Sequence, residues 1–112
     1  MAKDAIDDLR SFLEVLSRHG AIHDITAPVD PVHELGAILK ACEQDGRASW
    51  FHDVTGASMP VVGGVLGSHE RIALALGCSR ADLGATLDRA TRAPLPCVEV
   101  QHPAPCQQVA MD

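Results

Sequence analysis

The hydrophobic pattern near the start of the chain is that of a helix. Its apolar positions recur at intervals of three and four residues: Leu9, Phe12, Leu13 and Leu16. Because this spacing places the side chains on one face, it predicts an amphipathic helix. Asp7 or Asp8 can cap its first turn, and Gly20 lies where a left-handed residue would end it.

A second helix is predicted to begin at Asp30 and Pro31, an N-cap residue followed by proline at the first helical position. Its apolar positions have the same spacing and precede Gly46: Leu35, Ile38, Leu39 and Cys42. Between the two helices, residues 21–29 are partly β-branched and interrupted by a proline, which favours a brief strand or an extended link.

The centre of the chain has β-like spacing. Residues 48–54 and 59–66 predict the two strands of a hairpin. The small residues at 55–58 suit the reversal between them.

Two further helices are predicted after the hairpin. Ser68 caps the first, which carries Glu70 in its first turn and ends at Gly77. Ser79 with Asp82 forms an Asp version of the capping box for the second. Their apolar faces are Ile72, Ala73 and Leu76 in the first and Leu83, Leu87 and Ala90 in the second.

Residues 95–112 form a tail that is interrupted by prolines. Val98 and Val100 alternate with polar positions, which predicts an extended, strand-like segment that needs a sheet edge to pair with. Taken together, residues 1–112 are predicted to form a single α+β domain. Its small mixed sheet, a hairpin plus edge strands, would pack with about four helices.

Composition supports a folded domain of the ordinary kind. Of the 112 residues, 46% are hydrophobic and 21% are charged, far from the signature of disorder. The net charge of −6 makes nucleic acid and anionic membranes poor partners. An acidic opening without a long apolar run predicts no secretory or transit peptide, no membrane span and a cytoplasmic location.

The cysteines and histidines raise the question of a metal site. The four cysteines make no C-x-x-C pair, which predicts reduced thiols: Cys42, Cys78, Cys97 and Cys106. Cys97, His102 and Cys106 are the closest ligand group, but they lack a fourth ligand nearby. We expect thiols and surface imidazoles here and assign no metal site.

A glycine-rich run at residues 63–68 precedes a predicted helix and could offer backbone amides to a phosphate. It lacks the lysine of a P-loop, and it does not match the dinucleotide-binding G-x-G-x-x-G pattern. Close packing of the hairpin strand against the following helix explains the glycines better.

The remaining candidates do not form an active site either. Ser68, His69 and Glu70 are the residue types of a nucleophilic triad, but consecutive helical residues point in different directions. The acidic residues at the chain start suit helix entry: Asp4, Asp7 and Asp8. In a strand, Trp50 and Phe51 would face opposite sides, so at least one should anchor the core. We therefore assign no catalytic, cofactor-binding or metal residue.

Several motifs occur together in the order seen at the start of UbiD-family decarboxylases, which the chain resembles over nearly its whole length. They are DLRSFLE at Asp8–Glu14, PVDP at Pro28–Pro31, MPVVGGVLGSHERIALALG at Met59–Gly77 and APCQQV at Ala104–Val109. The third and fourth are the specific ones, whereas the first is common in helices. Gln108 stands where the family often has an acidic residue.

The resemblance implies a family reaction for the complete enzyme. UbiD-like enzymes reversibly decarboxylate aromatic and α,β-unsaturated acids with prenylated FMN, a divalent metal and a monovalent cation. In the family, this region is the N-terminal domain, and the catalytic Glu-Arg-Glu set and cofactor site lie in a later domain. The resemblance therefore implies a chain that binds no cofactor alone, is not catalytic by itself and docks through residues 95–112 onto the part that carries that domain.

Three origins of so short a chain stay open: a natural small subunit, a broken or misread gene, or an isolated domain. The competing function is a non-enzymatic interaction module or accessory subunit with the same fold, since a fold does not fix a function. A neighbouring reading frame that encodes the cofactor domain would favour the enzyme.

Overall fold

The structure is a computed structural model that describes residues 6–101 and 103–109. Within these residues it contains four α-helices and three strands, which confirms the predicted α+β class. The elements are α1 (Leu9–Arg18), β1 (Ile22–Ile25), α2 (Glu34–Gln44), β2 (Ala48–Phe51), β3 (Val61–Gly63), α3 (His69–Leu76) and α4 (Leu83–Arg92), followed by a short 3-10 turn at Pro105–Gln107. In this described part, no helix is long and apolar enough to cross a membrane.

The three strands form a mixed sheet in the order β1-β2-β3. β1 and β2 are parallel, with Ile22 opposite Ala48, and α2 makes the crossover that a parallel pair requires. β2 and β3 are antiparallel, with Phe51 opposite Val61. This confirms the predicted hairpin pair and the predicted strand within residues 21–29, although residues 52–60 form a longer connection than the tight reversal we expected.

Each face of the sheet is covered by apolar side chains. Because Ile22 and Ile25 are three positions apart on one strand, they face opposite sides. The α1 side of the sheet is built from Phe12, Leu13, Val15, Leu16, Ile22 and Ala48. The other side centres on Val29, Phe51 and Val54, against which Leu35, Ile38 and Leu39 of α2 pack.

The predicted apolar faces of the helices include four residues that are exposed in the structure: Leu9, Leu76, Leu87 and Ala90. Leu9 on α1 is 52% exposed, and Val15 is buried in the core instead. On α4, Leu83 is buried whereas Leu87 is half exposed. Part of each of these predicted apolar faces therefore lies outside the core and is exposed to solvent.

The beginning of α1 confirms the predicted cap. Asp8 is the N-cap residue, and its Oδ1 accepts a hydrogen bond from the backbone N–H of Ser11 at 2.8 Å. In return, the backbone N–H of Asp8 donates to Ser11 Oγ at 3.1 Å. Gly20 adopts φ +63°, which gives the expected left-handed end.

The predicted beginning of α2 is wrong by about one turn. The helix begins at Glu34, because His33 adopts φ +70° and cannot continue a helix through residues 31–33. Asp30 still acts locally, since its Oδ1 accepts from the backbone N–H of Val32 at 2.7 Å. It therefore stabilises a turn ahead of the helix and does not cap the helix.

Ser79 and Asp82 interact, but the prediction that Ser79 caps α4 is wrong by three residues, because Asp82 is the N-cap residue. The Ser79 hydroxyl donates to Asp82 Oδ2 at 2.6 Å, and the backbone N–H of Asp82 donates to Ser79 Oγ at 3.2 Å. These bonds close the turn that leads into α4, which begins at Leu83.

The predicted strand in the tail is wrong for the chain alone. Residues 95–101 and 103–109 contain a single 3-10 turn and no strand. Leu95 is 91% exposed and Val98 is 87% exposed, so neither side chain packs on the sheet. A strand exists only where it pairs with an edge, and here no edge of the described sheet is paired with the tail.

Candidate functional site

The glycine-rich run forms the turn between β3 and α3. Gly64 adopts φ +70°, a left-handed conformation that favours glycine, and its carbonyl accepts from the backbone N–H of Gly67 at 3.0 Å. Ser68 then caps α3, with its Oγ accepting from the backbone N–H of Arg71 at 3.2 Å. The predicted cap is confirmed, and the turn is fixed at both ends.

The glycines allow this turn to lie directly on α2. A Cβ added at Gly63 would stand 2.8 Å from Leu39 Cδ1, and one added at Gly64 would overlap Glu43 Oε1. Close packing is therefore the reason for these two glycines, as predicted. The packing partner differs, because we expected the following helix and the structure places α2 there.

A buried arginine fastens the turn. Arg71 on α3 is 2% exposed and donates from Nη2 to Glu43 Oε1 at 2.9 Å and from Nη1 to the Gly46 carbonyl at 2.7 Å. A Cβ on Gly67 would stand 2.7 Å from Arg71 Nη2, which leaves no room for a side chain. Arg71 and Glu43 thus form a clamp that ties α3 to the end of α2.

Sequence reasoning missed this clamp. Glu43 and Arg71 are 28 residues apart, and no local pattern links them. One signal was present: Arg71 lies in the first turn of α3, where the helix dipole disfavours a cation. An arginine at that position therefore indicates a partner elsewhere in the fold, here Glu43.

The clamp also decides the phosphate hypothesis. The Glu43 carboxylate occupies the space over Gly64, and it would stand 2.5 Å from a Cβ on Gly67. The same space holds Arg71 Nη2, which pairs with this carboxylate. Because the ion pair already fills this side of the turn, we assign no phosphate site to it.

A cavity of about 400 Å³ lies beside Arg71, lined also by His19, Ala21, Gly46, Ser68, Glu70 and Leu74. Its arginine and its glutamate each have a partner of opposite charge. Glu70 Oε1 lies 2.8 Å from Arg80 Nη1. A hydrogen bond from its own backbone N–H, followed in effect by Arg80, keeps the pKa of Glu70 below its ordinary value. Because both charges are already paired, we assign no catalytic acid–base pair to the cavity.

Two of the three residues considered for a nucleophilic triad, Ser68 and Glu70, have other roles in the structure. Ser68 Oγ is occupied by its capping bond to the backbone of α3. Glu70 pairs with Arg80 on the far side of a turn. The hydroxyl and the carboxylate that a triad would need beside His69 therefore bond to other groups, which agrees with the prediction of a capped helix start.

The metal candidates stay apart within the described residues. Cys42 is buried, and Cys97 and Cys106 are exposed and unpaired. His102, the third member of the predicted group, lies outside the described residues. Among the residues that the structure does describe, no three His, Cys, Asp or Glu side chains come close enough to share a metal ion.

Two histidine–carboxylate pairs lie at the ends of the parallel strands. His23 Nε2 is 2.9 Å from Asp45 Oδ2, and His52 Nε2 is 2.7 Å from Asp24 Oδ1. The His52 ring also stacks on Trp50 with centroids 4.9 Å apart. All four side chains of the two pairs are partly or largely exposed, and we assign the pairs to surface stabilisation. Phe51, on the opposite face, is fully buried, which confirms that one of the aromatic doublet anchors the core.

Comparison with known proteins identifies the family. The family model for the 3-octaprenyl-4-hydroxybenzoate carboxy-lyase N-terminal domain, UbiD_N, matches residues 13–91. The vanillic acid decarboxylase of Sedimentibacter hydroxybenzoicus in its closed form is 29% identical with a TM-score of 0.76, over 96% of this chain and 25% of that chain.

Two further solved structures give the same result. The UbiD-class enzyme HmfF from Pelotomaculum thermopropionicum, in complex with FMN, is 31% identical with a TM-score of 0.73, over 80% of this chain and 20% of that chain. The 3,4-dihydroxybenzoic acid decarboxylase of Enterobacter cloacae is 31% identical with a TM-score of 0.69, over 80% of this chain and 21% of that chain.

The chain thus spans between 20% and 25% of the length of these solved relatives. The family match covers most of the chain, and it falls on the elements that build the sheet, the clamp and the glycine turn. The chain belongs to the UbiD family of carboxy-lyases, in which it corresponds to the N-terminal domain.

Proposed function

We propose that this chain serves as the N-terminal domain of a UbiD-type (de)carboxylase that acts on aromatic or α,β-unsaturated carboxylic acids, and that it is not catalytic by itself. The observation that carries the proposal is the family match over residues 13–91, in a chain that covers only 20% to 25% of the length of its solved relatives. Two of those relatives are decarboxylases of vanillic and 3,4-dihydroxybenzoic acid, which favours aromatic substrates.

The cofactor part of the proposal rests on the relatives. HmfF has been solved with FMN, and an evolved dimeric form of it with prFMN. We infer that the complete enzyme uses prenylated FMN with a divalent metal and a monovalent cation, held outside the described part of this chain. The glycine turn is in keeping with this, because the Glu43–Arg71 pair fills its α2 side.

The tail is the proposed connection to the cofactor-binding part, in the same polypeptide or in another. Its aliphatic side chains are strongly exposed although they would be expected to bury apolar area: Leu95, Val98, Val100 and Val109. Burial of such side chains is worth about 1.5 to 3 kcal/mol each, so a partner surface for residues 95–112 is favoured. A cytoplasmic location also belongs to the proposal, supported by the unpaired, exposed thiols of Cys97 and Cys106.

Two experiments test the proposal. Purified chain is incubated with reconstituted prenylated FMN and a panel of aryl and acrylic acids, with HmfF as the positive control. We expect the flavin to separate from the chain on gel filtration and no carbon dioxide to form. Retained flavin together with carbon dioxide release would overturn the claim that the chain is inactive alone.

The second experiment tests the domain assignment directly. In a chimera, this chain replaces the matching N-terminal region of HmfF, and an unrelated domain of similar size replaces it in the control. We expect the chimera to retain the decarboxylase activity of HmfF and the control to lose it. Equal activity of the two chimeras would show that the similarity carries no function.

A further inference from the structure

A second candidate for a contact surface lies on the folded part of the chain. It is a groove of about 280 Å³ between the beginning of α1 and the β3–α3 turn. Its apolar lining is Ile6, Leu9, Phe12, Val65, Leu66 and Ala75, and Asp7 and Asp8 also line it. Leu9 and Leu66 are 52% and 55% exposed, so two large aliphatic side chains face solvent beside an apolar depression.

The size and lining of this groove favour a protein segment over a metabolite. Small-molecule sites measure about 300 to 1,000 Å³ and contain several convergent polar groups. This groove lies at the lower edge of that range, and its carboxylates belong to two exposed residues at one helix end. A shallow, hydrocarbon-lined groove of this size suits one or two anchoring side chains of a partner protein.

The charge of the groove specifies the partner further. The backbone N–H of Ser11, followed in effect by its hydroxyl, keeps the pKa of Asp8 below its ordinary value, so this carboxylate is ionised at neutral pH. Arg10, the nearest base on α1, is one of the weaker influences that lower this pKa, and Asp7 adds a second carboxylate to the lining. A partner segment would thus gain by carrying Lys or Arg next to its apolar anchor.

The groove is also held in shape. Leu66 lies in the turn that the Glu43–Arg71 clamp and the close-packed glycines fix on α2. A surface that is rigid before binding loses less conformational entropy on association. The clamp therefore helps to hold Leu66 in a fixed position at the groove, a role that the proposed function does not include.

We propose that this groove is a second surface through which the domain docks onto the cofactor-binding part of the enzyme. Its occupant is a segment with leucine-sized anchors flanked by Lys or Arg. The inference rests on the proposed function, since this chain covers only 20% to 25% of the length of the solved relatives. A domain joined to so large a remainder needs contact area beyond an extended tail.

The test uses the chain itself and two synthetic peptides of opposite charge, acetylated KLLK amide and acetylated ELLE amide. Methyl NMR spectra of the labelled chain are recorded as each peptide is added. We expect saturable shifts at the methyl groups of Leu9, Leu66 and Ala75, with KLLK binding about fivefold more tightly than ELLE. Leu66→Ser should weaken KLLK binding about tenfold.

Leu87→Ser provides the matched control, because Leu87 is a similarly exposed leucine on α4 and outside the groove. It should leave KLLK binding unchanged. The proposal is overturned if neither peptide saturates, if ELLE binds as tightly as KLLK, or if the shifts fall on the tail. The comparison of the two peptides needs no variant, so it decides the proposal even if Leu66→Ser does not fold.

The outcome is separable from that of the HmfF chimera. If neither peptide binds, the groove is not a docking site, but an active chimera would still support the enzymatic assignment. If the chimera is inactive, the enzymatic assignment is wrong, but a measured preference for leucines flanked by basic residues would still support the groove as a binding surface.

Discussion

Arg71 is the residue on which the β3–α3 turn depends most. It is buried, and it bonds to Glu43 and to the Gly46 carbonyl across 28 and 25 residues of sequence. Removing it leaves the Gly46 carbonyl without its donor and the Glu43 carboxylate, which is 34% exposed and so partly solvated, without its cation. We expect Arg71→Met to lower the free energy of unfolding by about 2 kcal/mol, measured by urea denaturation.

Arg80→Met is the matched control for that substitution. It removes the Arg80–Glu70 pair, in which both side chains are mostly exposed. Solvent screens such a pair, so its loss should cost less than about 1 kcal/mol. Equal losses for the two variants would contradict the role given to the clamp.

Gly67 and Gly84 should respond in opposite directions to alanine. A Cβ on Gly67 would stand 2.5 Å from Glu43 Oε1 and 2.7 Å from Arg71 Nη2, so Gly67→Ala pushes the clamp apart. We expect a loss of about 1 to 3 kcal/mol in the free energy of unfolding. Gly84 on α4 has nothing within 4 Å of an added Cβ, and Gly84→Ala should stabilise by about 0.5 to 1 kcal/mol. Thermal unfolding of both variants checks this, and a stable Gly67→Ala protein would argue against close packing.

Asp8 makes the stability of α1 depend on pH. The pKa of its carboxyl is lowered in the folded chain by the backbone N–H and then the hydroxyl of Ser11. A folded pKa below the unfolded value of 3.8 gives stability that is present above 3.8 and is lost as pH falls from there through the lower pKa of the folded chain. Asp8→Asn keeps an acceptor without the charge. Between about pH 6 and pH 3, the urea midpoint of the wild type should therefore fall more than that of Asp8→Asn, and parallel curves would refute the assignment.

Among the elements, the helices whose signals are local were predictable. α1 has its cap at Asp8 and its end at Gly20, both within a few residues of the apolar face that they delimit. α2 begins later than its Asp–Pro signal predicted, because His33 adopts a positive φ. No pattern in the neighbouring residues predicts that conformation. Local signals thus predict that an element exists better than they predict where it begins.

The features that the sequence did not reveal are the tertiary ones. The glycine turn was assigned to close packing correctly, but α2 as its neighbour depends on the Glu43–Arg71 contact across 28 residues. The alternation at Val98 and Val100 is real, yet the chain alone forms no strand there, because a strand needs a partner edge. The missing information in both cases lies in residues distant in sequence or outside the chain.

At the scale of the whole molecule, the exposed apolar side chains divide between the tail and the folded part. Leu95 and Val98 stand on an extended segment, whereas Leu9 and Leu66 stand on a fixed groove. A rigid groove is ready to bind, whereas an extended tail must become ordered on binding, and that ordering costs conformational entropy. The two surfaces should therefore differ in how far they are protected in the isolated chain.

Hydrogen exchange on the isolated chain measures that difference. Amides from Cys97 to Val109 should exchange rapidly, because the described tail residues contribute to no strand and their side chains are largely exposed. Amides from Phe12 to Leu16 in α1 should exchange slowly, since this helix carries the core. Addition of the cofactor-binding part should slow exchange in the tail far more than in α1, whose amides are already protected in the isolated chain. Uniformly slow exchange through the tail, in a chain that sediments as a monomer, would instead show a self-sufficient module, and the assignment to a part of a larger decarboxylase would be wrong.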